Sequence, residues 1–245
     1  MNALYDLFAA NTPPLWAWLA GGPPALAWSY LCLRLAAYLK CEKGLRTGYT
    51  RKTYHVLIFM TAVAAQAVWG LPGVFVLGSA VTLVLAYAVA RGAGHPLYEA
   101  IAREQDAPRR TYYVVVPYFA TLLGGLASNL LFGPVSIFGY LVGGVGDAAG
   151  EPAGARWGRH RYPAPSFTGV KTTRSVEGSV AVLLGSLAAL VAGLAVSPQL
   201  GVSARTLAPL PAVAAACALV EAVSPHGWDN ATMQLAPSAL VSALL

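Results

Sequence analysis

The chain has 245 residues, of which 57% are hydrophobic and 11% are charged, and its mean hydropathy is positive at +0.58. Soluble domains carry about 25% charged residues, so this composition excludes a water-soluble globular domain and predicts an integral membrane protein. The formal net charge of +6 comes from cations in loops between apolar segments. These cations are suited to membrane phosphates, and we expect no nucleic acid partner.

The apolar segments follow one another in a fairly regular series. A membrane-spanning helix needs roughly 20 mostly apolar residues, because the hydrocarbon core is about 30 Å thick. We predict spans near residues 24–40, 54–70, 73–90, 113–131, 134–149, 178–197 and 206–222. The predicted fold class is therefore an all-α, polytopic helical bundle of about seven transmembrane helices, in one membrane-embedded domain that covers residues 1–245.

Two further apolar segments are shorter than a span. Residues 15–20 are followed by Gly21-Gly22-Pro23-Pro24, where we expect a break before the first span, because proline removes a backbone donor and clashes with the preceding turn. Residues 233–245 are predicted to dip into the membrane or to cross it at a slant. Residues 1–50 would form an N-terminal helix and a basic loop.

Lysine and arginine are concentrated in alternate loops. The loops after the first, third and fifth spans contain Lys40, Lys43, Arg46, Arg51, Lys52, Arg91, Arg103, Arg109, Arg110, Arg156, Arg159, Arg161, Lys171 and Arg174. The connections at 70–73 and 132–134 contain none. Because cytoplasmic loops carry the excess of Lys and Arg, we predict that the three basic loops and residues 224–230 lie on the cytoplasmic face, with the N-terminus outside.

Residues 146–178 form the most polar long stretch. Glycine recurs there at every fourth position, at Gly146, Gly150, Gly154 and Gly158. On a helix these positions share one face, and such stripes pack membrane helices closely, which is one interpretation of the first two glycines. Asp147 and Glu151 run beside the stripe and would be roughly 5–6 Å apart at Cβ on an unbroken helix.

Pro152 is expected to break or kink that helix, since it lacks a backbone donor, and to start a second short helix. The free N–H groups and the positive dipole end of a helix that begins there would suit a phosphate group.

Ionised carboxylates close to a bilayer are costly and are by default functional candidates. One interpretation is that Asp147 only pairs with a nearby arginine. We favour a site for a metal-bound polyphosphate, because Mg²⁺ takes oxygen ligands from one or two carboxylates and from phosphates, while cations neutralise the remaining charge. Glu221, Asp229 and Asn230 add oxygen ligands at the same level of the membrane.

A basic motif with a histidine lies where the second span begins. Helical spacing puts His55 about one turn from Arg51 on the same face. A lone histidine at such a position is more often an interfacial hydrogen-bonding residue than a catalyst, so this motif gains weight only beside the other polar clusters.

The residues of the polar stretch resemble a known nucleotide motif. Gly146-Asp147-Ala148-Ala149, the later spaced glycines and Arg174-Ser175-Val176-Glu177-Gly178 look like the GD-x-x-A/G, glycine-rich and K-T-x-E-G elements of the CTP-dependent polyprenol kinases. That family comprises the dolichol, phytol and yeast-type diacylglycerol kinases. Arg174 and Ser175 stand where the family usually has lysine and threonine, which keeps the charge and the hydroxyl.

Two flanking motifs extend the resemblance over about residues 51–235. Arg51-Lys52-x-x-His55 resembles the R-K-x-x-H that opens the family's region, and Glu221 with Asp229-Asn230 resembles the E…DN ending of its phytol kinase branch. The segment at 94–110 matches no family motif.

The resemblance implies an enzyme that transfers the γ-phosphoryl group of CTP to a lipid alcohol, with phytol or another isoprenoid alcohol as the first choice. It implies Mg²⁺ as cofactor, held by Asp147 with Glu151 or Asp229, and a base that is Asp147 or His55. It implies nucleotide contacts from Arg51, Lys52, Gly146, Gly150, Gly154, Arg156, Gly158, Arg159, Lys171, Arg174, Ser175, Glu177, Gly178 and Asn230. The alcohol would arrive laterally from the bilayer at the cytoplasmic face of the cytoplasmic membrane.

Two other functions share part of this pattern. Phosphatidate cytidylyltransferases also have an Asp, spaced glycines and a K-T-x-E-G element, and use CTP with attack at the α-phosphate, but the D-R-x-x-D ending of that family is missing here. A small transporter would be expected to place its polar residues at the midplane of the membrane, whereas those of this chain collect at one face.

Overall fold

A computed structural model describes residues 2–167, 170–197 and 202–244 of the chain. Most of these residues are helical, and the strands among them are two short ones that form one antiparallel hairpin. The predicted all-α fold class is confirmed at this level. The chain divides into two compact units, Met1–Val114 and Val115–Leu245.

The first unit is built on two long helices. Its elements are α1 (Asn2–Asn11), α2 (Leu15–Cys41), α3 (Thr47–Arg91), α4 (Pro96–Glu99) and a 3₁₀ turn at Glu104–Asp106.

α2 runs without interruption through Gly21-Gly22-Pro23-Pro24, so the break expected at these residues is wrong. A proline inside a helix costs about 3 kcal/mol, and the packing of α2 along α3 offsets this cost. Trp28 Nε1 donates a 2.9 Å hydrogen bond to Thr61 Oγ1, and Leu33 and Ala36 are fully buried.

α3 consists of two helices joined at Gly70. This residue has φ +66° and ψ −159°, a conformation that glycine adopts without steric cost. Tyr54 and Val84 belong to one buried hydrophobic cluster, whereas residues thirty positions apart on a straight helix are separated by about 45 Å. The two halves of α3 therefore lie side by side, as the separate predicted spans at 54–70 and 73–90 require.

A polar clamp closes the first unit at the start of α3. Thr50 Oγ1 donates to the carbonyl of Ala100 at 2.7 Å, and Lys40 Nζ pairs with Glu104 Oε1 at 2.5 Å. The segment at 94–110, which matched no family motif, thus joins the C-terminal end of α2 to the N-terminal end of α3.

Glu99 gives this clamp a pH dependence. The bond from Arg110 Nη2 to Glu99 Oε2, 2.6 Å long, lowers the pKa of Glu99 below its ordinary value of about 4.5. A carboxylate with a lowered pKa in the folded state stabilises the fold fully above its unfolded pKa, and this stabilisation is lost as the pH falls through the folded-state pKa.

Glu99→Gln is expected to lower the free energy of unfolding by about 2 kcal/mol at neutral pH. The difference from the wild type should vanish in acid, because the wild-type carboxyl is then protonated as well. Unfolding in a fixed detergent at neutral and acid pH measures both values. Glu42→Gln, at an exposed position, is the control, and a loss from Glu99→Gln that is equal at both pH values would contradict the role of charge.

The second unit holds the remaining helices and the hairpin. Its elements are α5 (Tyr112–Phe132, with its first three residues in the first unit), α6 (Ser136–Leu141), α7 (Asp147–Trp157), β1 (Arg161–Ala164), β2 (Thr172–Ser175), α8 (Val176–Ala195), α9 (Ala204–Leu207), α10 (Leu210–Val223) and α11 (Asp229–Leu244). α8 packs against α7 and α10, and α11 packs against α6 and α10.

α6 and α7 form one continuous helical segment through a π-helical turn at Val142–Gly146. α7 then passes through Pro152 to Trp157, so the break and the second helix expected at Pro152 are wrong. Gly146 already has helical backbone angles, and the segment consequently offers no free helix N-terminus to a phosphate. The irregular turn lies directly before Asp147, and π turns are frequent at functional sites.

The glycine stripe brings α7 into close contact with α8. A Cβ on Gly150 would lie 2.8 Å from Val182 Cγ2, and one on Gly154 would lie 2.9 Å from Ser175 Oγ. From the other helix, a Cβ on Gly178 would lie 3.0 Å from the carbonyl oxygen of Gly150. This is the close packing that the spacing of small residues indicates. The contacts with α8 offset the cost of Pro152 inside α7.

Buried polar side chains join α11 to α5. Asn230 Nδ2 donates to the carbonyl of Pro117 at 3.1 Å and to Thr121 Oγ1 at 2.9 Å. Gln234 Nε2 donates to the carbonyl of Thr121 at 3.0 Å. Because α11 begins at Asp229, these bonds fix the position of its first turn.

Gly124 marks a close approach of the α5 and α11 backbones. A Cβ there would lie 2.7 Å from the Cα of Ala231, and a backbone atom cannot move aside as a side chain can. We expect Gly124→Ala to lower the free energy of unfolding by about 1–3 kcal/mol. The control is Gly78→Ala, whose Cβ would meet no atom within 4 Å and which should stabilise α3 by up to about 1 kcal/mol. Equal losses in both variants would contradict this account.

The part of the chain that the structure describes contains four helical segments that are long and apolar enough to cross a membrane. They are Thr47–Arg91, Tyr112–Trp157, Val176–Ala195 and Arg205–Val223. The first two are 45 and 46 residues long, about twice the length of a span, and each covers two predicted spans. The protein is accordingly an integral membrane protein, while the count of seven spans and the outside N-terminus stay predictions.

The 46-residue segment turns back on itself like α3. Gly133 has φ +52° in a 3₁₀ turn at Gly133–Val135. Asn129 Nδ2, before the turn, donates a 2.8 Å hydrogen bond to Tyr140 Oη, after it. α5 and α6 therefore lie side by side, which agrees with the short connection predicted at 132–134.

Candidate functional site

Three carboxylates from three helices meet in the second unit. One oxygen each of Asp147, Glu221 and Asp229 lies within 4.8 Å of the other two. Asp147 is 3% exposed and Glu221 is 8% exposed, and the side chain of Asp229 is 18% exposed. These three residues, which we call the carboxylate cluster, are the one such group of His, Cys, Asp or Glu in the described ranges.

Helix ends place these carboxylates. Asp147 is the first residue of α7, Glu221 lies in the last turn of α10, and Asp229 is the first residue of α11. In the connection at 224–228, Gly227 has φ +88°, a conformation that favours glycine. The chain reverses there and brings Asp229 close to Glu221.

Arg174 holds two members of the cluster in place. Its Nε lies 2.7 Å from Glu221 Oε1 and its Nη2 lies 3.2 Å from Asp229 Oδ2. Its Nη1 donates to the carbonyls of Ala222 and Ser224, at 3.0 and 2.8 Å. The side chain is 13% exposed and most of its donors are engaged, so Arg174 orients the acids. Its predicted contact with phosphate oxygens stays a prediction.

The hairpin aims Arg174 at the cluster. Tyr162 and Arg174 are opposite one another in the register of β1 and β2, on the face that is partly buried. Tyr162 Oη is hydrogen-bonded to Ser179 Oγ at 2.6 Å, and the backbone N–H of His226 donates to the carbonyl of Pro165 at 2.8 Å. The hairpin is thus tied both to α8 and to the connection between α10 and α11.

The charge and the donor atoms of the cluster suit a divalent cation. When every group is counted in its charged form, the three carboxylates and the guanidinium of Arg174 have a summed formal charge of −2. Arg174 engages one oxygen of Glu221 and one of Asp229, and the other oxygen of Asp229 accepts from the backbone N–H of Asn230 at 3.1 Å. A carboxylate oxygen has two lone pairs, so it can keep such a hydrogen bond and also bind a cation. An all-oxygen donor set is the one that Mg²⁺ and Ca²⁺ prefer, at roughly 2.0–2.6 Å, and oxygens this close reach one ion after small side-chain movements.

Glu151, predicted as a metal ligand, is not a member of the cluster. Among the described residues the cluster consists of Asp147, Glu221 and Asp229. Glu151 lies one turn after Asp147 on α7, whereas α8 packs against both α7 and α10 and so brings the last turn of α10 to Asp147. A carboxylate distant in sequence therefore occupies the place expected of the neighbouring one.

The segment Arg174-Ser175-Val176-Glu177-Gly178 builds the start of α8. Ser175 is the N-cap, and its Oγ accepts from the backbone N–H of Gly178 at 3.1 Å. Glu177 Oε1 lies 2.8 Å from His160 Nδ1. These contacts cap α8 and anchor the chain before β1. The nucleotide contacts predicted for Ser175, Glu177 and Gly178 stay predictions.

Other residues predicted to bind nucleotide serve packing. Gly146, Gly150 and Gly154 face α8, and a Cβ on Gly158 would lie 2.8 Å from Ser175 Oγ. The amide hydrogens of Gly150 and Gly154 point along α7 into helical hydrogen bonds. The nucleotide contacts predicted for these residues stay predictions. Asn230 commits its amide nitrogen to α5.

The predicted phosphate-binding cations of the loop lie at the surface. Arg156, Arg159 and Lys171 are exposed, and no ion pair joins them to a residue that the structure describes. Their contact with a nucleotide stays a prediction.

Arg51, Lys52 and His55 belong to the first unit. They lie within the first turns of α3, which confirms that Arg51 and His55 are one helical turn apart. Lys52 is 7% exposed, and the ring of His55 stacks on Phe59 with 4.3 Å between centroids. Their roles in nucleotide binding and in proton transfer stay predictions.

The sequence did not predict the contacts of Arg174 with Glu221 and Asp229, nor that Glu221 lies beside Asp147. One signal was available, because Arg174 stands where the resembled family has lysine. A guanidinium can serve two carboxylates and two carbonyls at once, and a lysine ammonium cannot.

The fold and the site together define a helical integral membrane protein with three carboxylates gathered at its helix ends. No family model and no solved structure matches the chain. Over 132 residues the chain is 34% identical to a phytol kinase of Synechocystis sp.. The alignment covers 51% of this chain and 53% of the relative, so the chain spans about half the length of the curated relative it matches. This similarity supports a phytol kinase-like family, in line with the motifs.

Proposed function

We propose that this protein is a membrane-embedded lipid-alcohol kinase that transfers the γ-phosphoryl group of CTP to an isoprenoid alcohol such as phytol or another polyprenol. The observation that carries the proposal is the carboxylate cluster, largely buried, which Arg174 orients and which together with Arg174 has a summed formal charge of −2. The similarity to a phytol kinase supports a lipid alcohol as the acceptor.

Phosphoryl transfer depends mainly on positioning and charge neutralisation. In the proposed reaction the alcohol oxygen bonds to the γ-phosphorus while the bond from that phosphorus to the β–γ bridging oxygen breaks. The products are a lipid phosphate and CDP, and the hydroxyl proton passes to a base, for which Asp147 and His55 are the candidates. Mg²⁺ held by Asp147, Glu221 and Asp229 would neutralise the triphosphate. Arg174 keeps two of these acids in place.

The proposed site lies at the cytoplasmic face of the cytoplasmic membrane, where the positive-inside rule puts the basic loops. Helix ends at that face let the hydroxyl of a lipid alcohol meet a water-soluble nucleotide. The apolar tail stays among the acyl chains and needs no aqueous pocket.

The test is a product assay with purified full-length protein, CTP, Mg²⁺ and a panel of lipid alcohols. Release of CDP together with a lipid phosphate is the expected result, with isoprenoid alcohols ahead of diacylglycerol. Release of pyrophosphate with phosphatidate would replace the kinase by a cytidylyltransferase. The absence of both products across the panel would overturn the proposal and favour transport.

A further inference from the structure

The hairpin region carries a basic and aromatic surface that the carboxylate cluster does not use. This surface, which we call the hairpin surface, consists of Arg156, Trp157, Arg159, Arg161, Phe167 and Lys171. Trp157 is 61% exposed and Phe167 is 73% exposed. Two aromatic side chains with this exposure, close in sequence to four cations, indicate a binding partner that is both apolar and anionic.

The cations of this surface are not balanced within the protein. The sequence has no acidic residue between Glu151 and Glu177, and Glu177 pairs with His160. Arg159 and Arg161 form no ion pair with any residue in the described part of the chain. The surface therefore has a positive potential that only a molecule outside the chain can neutralise.

The position of the surface in the chain puts it at the membrane boundary. Trp157 is the last residue of one candidate span and Val176 is the first residue of the next, so the hairpin leaves the membrane and returns on the same side. Aromatic rings and cations are enriched at this depth, where the rings reach the acyl chains and the cations reach lipid headgroups.

The two faces of the hairpin have different tasks. Arg174, on the partly buried face, reaches Glu221 and Asp229. Arg161, on β1, is exposed, and side chains alternate between the two faces of a strand. The same strands can therefore hold the carboxylate cluster and turn cations to the membrane surface.

We propose that the hairpin surface binds the phosphate groups of anionic phospholipids, with Trp157 and Phe167 inserted among the upper parts of the acyl chains. A nucleotide has the same phosphate chemistry, but exposed aromatics beside a membrane boundary fit a lipid with both a charged and an apolar part. The proposal goes beyond the proposed kinase function and does not depend on it.

The experiment measures lipid binding to the full-length protein in detergent by native mass spectrometry. Phosphatidylglycerol and phosphatidylcholine are titrated separately, with and without CTP. Each Lys or Arg near a membrane surface contributes about 1 kcal/mol of attraction to anionic lipid, or about 5-fold in affinity. Arg161→Gln/Lys171→Gln should therefore weaken phosphatidylglycerol binding roughly 30-fold and leave phosphatidylcholine binding unchanged. Trp157→Ser/Phe167→Ser should weaken both lipids.

The control removes an exposed cation that lies outside the three basic loops, Arg205→Gln, and should change phosphatidylglycerol binding less than about 3-fold. Melting temperatures close to the wild type establish that each variant is folded. An equal loss in the control, unchanged binding in the hairpin variants, or displacement of the lipid by CTP would overturn the proposal. None of these outcomes bears on whether CDP is released in the product assay.

Discussion

Asp147→Asn is expected to lower kcat/KM for phosphoryl transfer by at least about 1,000-fold, or about 4 kcal/mol of transition-state stabilisation. The substitution keeps the shape of the side chain but changes the summed formal charge of the carboxylate cluster and Arg174 from −2 to −1. A buried site of this kind depends on charge, because Mg²⁺ prefers ionised oxygen ligands. The affinity for the metal should fall together with the rate.

Binding of Mn²⁺, measured by electron paramagnetic resonance, gives a readout for Asp147→Asn that is independent of turnover. Glu151→Gln is the matched control, since Glu151 lies one turn further on α7 and outside the cluster. Its metal affinity and rate should stay within about 3-fold of the wild type. Turnover retained in Asp147→Asn would remove that residue from the site, and equal losses in both variants would restore the metal ligand predicted from the sequence.

The helices of this chain follow largely from local signals. Apolar segments of the right length identified them, and Gly70 and Gly133 marked two reversals because positive φ favours glycine there. The breaks expected at the prolines at 23–24 and at 152 are wrong. They were predicted from the local cost of a proline inside a helix, about 3 kcal/mol. Packing against α3 or α8 offsets this cost, and this packing joins residues that are distant in sequence.

In the candidate site, too, local sequence predicted some residues, and others depend on contacts between distant parts of the chain. The cost of a charge near the bilayer singled out Asp147, and the spacing of the ending put Glu221 and Asp229 at one level of the membrane. The hairpin that carries Arg174 was not predicted, because its strands are only four residues long and have no clear apolar alternation. Pairing of β1 with β2 depends on contacts such as Tyr162 with Ser179, which no local pattern reports.

Arg174→Gln is expected to lower the free energy of unfolding of the second unit by about 3–5 kcal/mol, the usual cost of removing one partner from a buried ion pair. The guanidinium pairs with Glu221 and Asp229, and it also accounts for two backbone carbonyls. Arg174→Lys should recover only part of the loss, because an ammonium cannot bridge all four groups. Arg159→Gln, at an exposed position, should stay within about 0.5 kcal/mol of the wild type.

The origin of the Arg174 effect can be separated by a double-mutant cycle. If the cost comes from leaving buried carboxylates unpaired, then Asp229→Asn should be less damaging in the Arg174→Gln background than in the wild type, with a coupling energy of about 0.5–3 kcal/mol. Chemical unfolding in a fixed detergent gives the four free energies. Additive losses would mean that Arg174 acts through Glu221 and the carbonyls of Ala222 and Ser224, and not through Asp229. Coupling would mean that the guanidinium sets the distance between the two acids, and with it the geometry offered to a metal.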